Sequence, residues 1–254
     1  MADSFIEAIR SLVLASIESR GLMLSEDIVC SYKTGYDLEL PSRDYALLRG
    51  REILLECCFR DSIAQVFTVA PRGYRGSIGD VFSLDLRNSY NRSLFYAVAS
   101  AILKHFRASA LGTIHCSGCK PRECGRLLAK KLYMEYGGSA RVLHIGYQPS
   151  HVEELYRVYR DNLLVTDLSR ENLWVVKNNR LVYDGLDNRI YIGSVDIVLA
   201  TASSIVNNTF WEILENVIVK KKKLIVYGVT ATPIIELLRE KLPFDIEFFC
   251  PYSL

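Results

Sequence analysis

The run Arg141-Val142-Leu143-His144-Ile145-Gly146-Tyr147-Gln148-Pro149-Ser150 decides how this chain is built. A short apolar stretch that ends at glycine and passes through proline into a helical pattern reads as a buried parallel strand handing over to its crossover helix. Strand 141–145 and helix 150–159 are therefore expected. The same rhythm continues on both sides. Upstream, an amphipathic pattern over 121–136 stops at Gly137-Gly138, a glycine C-cap signal. Downstream come strand 163–166, an insertion holding 174–176, strand 196–200 and helix 210–219. Strand 224–229, helix 233–242 and strand 246–249 complete the series. Repeated β-α units with near-continuous apolar strands predict a parallel sheet covered on both faces.

The first half has a different rhythm. Phe5, Ile9, Leu12, Val13 and Ile17 recur at helical spacing over 4–20. Extended segments follow at 28–32, 53–58 and 64–69, with the turn-rich run Pro71-Arg72-Gly73-Tyr74-Arg75-Gly76 after them. A second helix is expected over 93–106. The expected class is α/β: a Rossmann-like parallel-sheet domain, residues 111–254, preceded by a smaller α+β domain, residues 1–110. No internal repeat or long linker separates them.

Composition narrows the function classes. Half of the 254 residues are hydrophobic and 24% are charged, which is globular rather than disordered. A net charge of +2 is too small for a dedicated nucleic-acid binder. The basic run Lys220 to Lys223 leads into Leu224-Ile225-Val226-Tyr227 and reads as a solvated loop before a buried strand. Asp3, Glu7 and Arg10 do not suit a signal peptide, and no apolar run reaches bilayer length. A soluble, cytoplasmic protein without membrane partners is expected. Seven cysteines, an odd number, then argue for free thiols or metal ligands over a disulfide framework.

Ligands of open parallel sheets bind beyond the carboxyl ends of the strands. Four loops qualify, and they nominate Gly146, Gln148, Asp167, Thr201, Ser203, Asn207, Gly228, Thr230 and Thr232 as ligand-binding residues. Asp167 lies 21 residues after Gly146, near the spacing at which a Rossmann acid meets a ribose hydroxyl. The Gly-x-Gly-x-x-Gly fingerprint is missing, so NAD is not expected. Helix capping is the competing role for Asp167, Ser169, Asn208 and Thr232.

The most pointed chemistry lies in His115-Cys116-Ser117-Gly118-Cys119-Lys120-Pro121-Arg122-Glu123-Cys124. Cys116, Cys119 and Cys124 have the spacing of a metal site, with His144, His151 or Cys250 as remote fourth ligands. A rival reading places Cys124 in the first turn of a helix among Lys120, Arg122 and Arg126, where its thiol pKa would fall. A third makes the cysteines small buried apolar residues at a seam. His144 reads as a core histidine, and His151 points toward the presumed pocket. Cys57-Cys58 falls in a strand, so the pair faces opposite sides. Asp80 is an acid the first half could contribute. No nucleophile elbow, phosphate-binding loop or zinc-protease pattern occurs, and no catalytic residue is singled out.

Three segments also resemble a known family. Ala200-Thr201-Ala202-Ser203-Ser204-Ile205-Val206-Asn207-Asn208-Thr209 resembles its Thr-Gly-Ser/Thr-x-x-Val-Asn-Gly-Thr motif. Gly228-Val229-Thr230-Ala231-Thr232-Pro233 resembles its Gly-Pro-Ser/Thr-x-x-Pro loop, and 142–149 resembles its strand-Gly-Tyr-x-Pro segment. The family is labelled for heavy-metal chelation and is a domain of unknown function. The resemblance implies a Rossmann-like C-terminal domain behind a front domain like the N-terminal domain of enolase, which residues 93–103 would close. Ala202 and Asn208 replace the motif's glycines, and Val229 its proline. The expected function is binding of a heavy metal or small ligand between the two domains, with a transition metal of unspecified identity as the implied cofactor. The alternative is an enzyme acting on a nucleotide-like or pterin-like molecule through the strand-end loops. The partner is a metal ion or small molecule, and homo-oligomers stay open.

Overall fold

A computed structural model of the chain describes residues 2–34, 37, 38, 40, 44–49, 52–107 and 112–253. The expected domain boundary at 110/111 lies outside the described residues.

The first half opens with α1 (Ala2–Glu18), followed by β1 (Asp27–Lys33), β2 (Ile53–Phe59), β3 (Ser62–Thr68) and β4 (Tyr74–Ser77). These strands form an antiparallel sheet in the order β3-β2-β1-β4. The turn-rich run at 71–76 thus gives way to an edge strand. An edge needs backbone pairing on one side only, so Gly76 and Arg75 are tolerated there. Short α2 (Ile78–Phe82) and long α3 (Ser89–Arg107) complete this half.

The second half contains α4 (Lys120–Tyr136), β5 (Val142–Ile145), α5 (Pro149–Tyr159) and β6 (Leu163–Asp167). Next come the hairpin β7 (Val176–Lys177) and β8 (Arg180–Asp184), then α6 (Asn188–Ser194), β9 (Ile197–Thr201) and α7 (Phe210–Val219). β10 (Lys223–Tyr227), α8 (Thr232–Arg239) and β11 (Ile246–Phe249) end the series. The seven strands run in the order β11-β10-β9-β5-β6-β8-β7, parallel except for β7. The insertion around 174–176 proves to be this hairpin. Its turn residues Asn178 and Asn179 both have positive φ (46° and 62°), as a primed two-residue turn requires.

Alternation along the strands sends side chains to two cores. Val142, Val165, Leu199 and Ile225 pack with Leu128 and Leu132 of α4 and Val152 and Leu155 of α5. Leu143, Val198, Val226 and Ile246 pack with α7, α8 and α3, and through α3 with the first sheet. Phe95 and Tyr96 of α3 are fully buried there. Removing the Phe95 ring from water contributes about 1.5–3 kcal/mol, so the apolar contact holds the two sheets in fixed relation.

Strand order also locates the switch point. From β5 the chain first builds β6 and β8 on one side, then returns to place β9, β10 and β11 on the other. The crevice therefore opens between the carboxyl ends of β5 and β9.

One expectation about thiols is corrected. Cys30 and Cys57 sit opposite each other in β1 and β2 and are joined by a disulfide, leaving Cys58, Cys116, Cys119, Cys124 and Cys250 free. Cys57 is buried and Cys58 exposed, the opposite facing that a strand imposes.

Candidate functional site

A cavity of about 650 Å³ lies at the switch point, between the strand ends of the parallel sheet and the first sheet. Gly146 and Thr201 form its floor at the ends of β5 and β9. Gly146 has φ 89°, and a Cβ there would stand 2.7 Å from Thr201 Cγ2 and 3.1 Å from the Tyr227 hydroxyl. Only glycine lets these loops approach so closely. Tyr227 OH donates to the carbonyls of Ile145 and Gly146 at 2.9 and 2.7 Å, tying β10 across β9 to β5.

Gly146, Gln148, Asp167, Thr201, Ser203, Asn207, Gly228 and Thr230 all line the cavity. Thr232 is the exception. It is fully buried, and its hydroxyl donates to the Val229 carbonyl at 2.6 Å, so it closes its own loop and does not border the cavity. Gln148 has a second role, accepting from His151 N as the N-cap of α5. Asp167 caps no helix; Tyr147 N and Ser169 N each donate to its carboxylate at 2.6 Å. Asn208, where the motif carries glycine, has φ 62° and keeps the left-handed turn that asparagine tolerates.

The first half closes the cavity with contacts that cross the seam. Phe67 N of β3 donates to Thr230 Oγ1 at 3.1 Å, and Arg92 Nε of α3 donates to the Val206 carbonyl at 2.6 Å. Tyr45 OH and Ser150 Oγ are 2.7 Å apart and buried. Segment 112–115 runs beside β3: Gln65 N donates to Thr113 O at 2.9 Å, and His115 N to Gln65 Oε1 at 2.7 Å. That path delivers Cys116 to the cavity wall.

The cysteine cluster divides. Cys116 and Cys124 border the cavity with Cys250, which follows β11. Cys119 is exposed at the start of α4, directs its thiol to Glu123 Oε1 at 3.8 Å, and does not border the cavity. Cys124 Sγ lies 3.4 Å from His151 Nε2, and His151 Nδ1 lies 3.4 Å from His144 Nε2. Gly125 makes this possible: a Cβ would meet the Ser150 carbonyl at 2.4 Å, so α4 and α5 close up on glycine. His144 is thus a core histidine with a buried imidazole neighbour, and Tyr227 packs against both rings at 4.7 and 4.9 Å.

Electrostatics reverse the activated-thiolate expectation. Burial pushes the Cys116 thiol up to about 12 and raises Cys124 above its ordinary value, with the neighbouring Cys250 adding to both. Desolvation outweighs the helix N-terminus because these thiols are enclosed. Burial also holds His115 at about 4 and His144 at about 3, and His151 well below its usual range. The wall at neutral pH is thus made of neutral thiols and neutral imidazoles.

Glu52, which precedes β2, also borders the cavity and had not been anticipated. Burial raises its carboxyl to about 7, and the charge of Asp167 pushes the same way. A single glutamate before an apolar strand carries no sequence signal, because its partner is 115 positions away in the chain. Asp80, the expected acid, instead sits on α2 within 3.5 Å of the Tyr74 hydroxyl and away from the cavity.

The donors on the thiol wall are of the kind that soft metals prefer. They are not a ready-made cage: among the described residues, no three His, Cys, Asp or Glu are grouped to hold an ion. Also among the described residues, no helix is long and apolar enough to cross a membrane.

Fold and cavity together define a mixed α/β protein with a mainly parallel, Rossmann-like sheet and a switch-point cavity roofed by a second sheet. Residues 129–245 match the model of DUF364, the family described as "Putative heavy-metal chelation". Two solved structures of that family, both of unknown function, are similar. The protein from Pyrococcus horikoshii is 18% identical, with a TM-score of 0.53 over 96% of this chain and 83% of its own. The protein from Desulfitobacterium hafniense is 13% identical, with a TM-score of 0.52 over 92% and 82%. At these identities the likeness is one of fold. No curated protein sequence matches the chain significantly.

Proposed function

We propose that the protein binds a small polar ligand in the switch-point cavity and takes up a thiophilic heavy-metal ion at the cavity's thiol wall. The observation that carries this reading is convergence: eight of the nine strand-end residues picked from sequence border one cavity with Cys116, Cys124, Cys250 and His151. Hydroxyls and amides at the strand ends suit a polar molecule, while thiol and neutral imidazole suit a soft metal. The family description supports the metal. The proposed division is a front domain of residues 1–110, enolase-like in kind, and a ligand-binding domain of residues 111–254.

Binding to raised-pKa thiols must release their protons, so affinity should climb with pH. Calorimetric titration of the reduced protein with cadmium tests the reading. Cys124→Ser and Cys116→Ser should each weaken binding about tenfold or more, the scale of losing one metal-orienting partner. Cys119→Ser should leave it unchanged. Equal loss in Cys119→Ser, or binding that ignores all three, overturns the assignment.

A second reading, an enzyme acting on a nucleotide-like or pterin-like molecule, is favoured by one feature. Glu52, with its carboxyl near 7 beside Asp167, is suited to exchange a proton at neutral pH.

A further inference from the structure

One wall of the cavity carries two carboxyls, with the Arg49 charge nearby but in no ion pair with either. Asp167 comes from the end of β6 and Glu52 from the start of β2, so the two carboxyls reach the cavity from different sheets. Both oxygens of Asp167 are oriented, Oδ2 by Tyr147 N and Oδ1 by Ser169 N. Glu52 accepts no hydrogen bond and forms no ion pair with any described residue; it is partly buried and borders the cavity.

The nearby cations direct their hydrogen bonds and ion pairs to other groups. Arg49 donates to the Asp44 carbonyl and to Asn172 Oδ1, and approaches Glu171 at 3.9 Å. Lys177 pairs with Asp44 and lies over the Tyr147 ring. A buried carboxyl left without a partner is costly, and natural structures supply one. Here the open side of Glu52 is the ligand space.

We propose that Glu52 and Asp167 form the recognition pole for a planar, positively charged nitrogen group on the ligand, an amidinium on an aromatic frame. The inference rests on the cavity being the ligand site. An amidinium presents two parallel N–H donors, which match a carboxylate edge and are shared readily between two adjacent acids. Phe67, Tyr147 and Tyr227 border the same space and offer ring contacts to a flat frame. Binding such a group replaces carboxyl–carboxyl repulsion with two charge-assisted contacts.

The probe is benzamidine, with benzamide as its neutral counterpart, titrated calorimetrically into the full chain at pH 7.5. Benzamidine should bind about tenfold or more tightly than benzamide, the scale of a hydrogen bond between charged partners. Glu52→Gln should remove that preference. Carboxyl-resolved carbon NMR of the unmutated protein gives a second readout: benzamidine should lower the titration midpoint of Glu52. Equal binding of the two probes, no binding of either, or a benzamidine affinity untouched by Glu52→Gln overturns the proposal. The cadmium titration at Cys116 and Cys124 does not involve the acidic wall. A failed amidinium pole with intact cadmium binding therefore leaves the cavity assignment standing.

Discussion

Glu52→Gln removes a charge that folding has to bury, so it should stabilise the protein while disabling part of its cavity. The rise of this carboxyl from 4.5 to about 7 corresponds to about 3 kcal/mol, an upper figure, in favour of its protonated form. The sign follows from linkage. Between pH 4.5 and 7 the folded state binds more of this proton than the unfolded chain, so stability falls as pH rises across that window. Above pH 7 the full cost is present; below pH 4.5 it has vanished. Glutamine keeps the shape without the charge. Urea denaturation at pH 4.5 and pH 8 should show little difference from the unmutated protein at the lower pH. At the higher pH the variant should be more stable by about 1–3 kcal/mol, with m unchanged. Asp167→Asn should recover part of the same gain, because burial is the larger cause and Asp167 the second. An equal offset at both pH values, or a loss of stability at pH 8, would refute the reasoning.

Three histidines act in the opposite direction. His115, His144 and His151 are held below the ordinary 6.5, so stability present above that value should drain away as pH falls through 6.5 toward about 4. His144→Gln should flatten part of that decline in a melting series. Reduction of the Cys30–Cys57 bridge, which spans 27 residues, should cost about 3–4 kcal/mol on chain-entropy grounds. The melting temperature should fall by several degrees, whereas Cys58→Ser should leave it unchanged. Gly146→Ala introduces a Cβ 2.7 Å from Thr201 Cγ2 at a positive φ. It should destabilise by about 2 kcal/mol or more and weaken cavity binding, read by denaturation and by the cadmium titration.

Much of this arrangement was legible because strand ends share one edge of a parallel sheet. Once the β-α alternation is read, Gly146, Asp167, Thr201 and Gly228 must lie at the same end, whatever the strand order. The switch point between β5 and β9 is a property of that order, which local patterns do not encode. Thr232 shows the limit of reading residue type alone, since a hydroxyl can serve its own loop as well as a ligand. Cys119 shows the limit of reading spacing, because the helix that starts beside it turns it outward while carrying Cys124 inward. Cys250 and Glu52 are brought in by tertiary packing from distant points of the chain. β4 and α6 escaped notice because an edge strand and a short helix need little apolar pattern of their own. Cys30 and Cys57 pair because antiparallel register places them face to face.

The central claim is that the switch-point cavity, with its thiol wall, is where the protein meets its ligand. A crystal soaked in cadmium and measured for anomalous scattering tests it most directly. The account predicts an ion inside the cavity, bonded to Cys124 Sγ and His151 Nε2 with Cys116 completing the set. Cadmium found only at Cys119, Cys58 or other exposed positions, with the cavity wall unchanged, would contradict it.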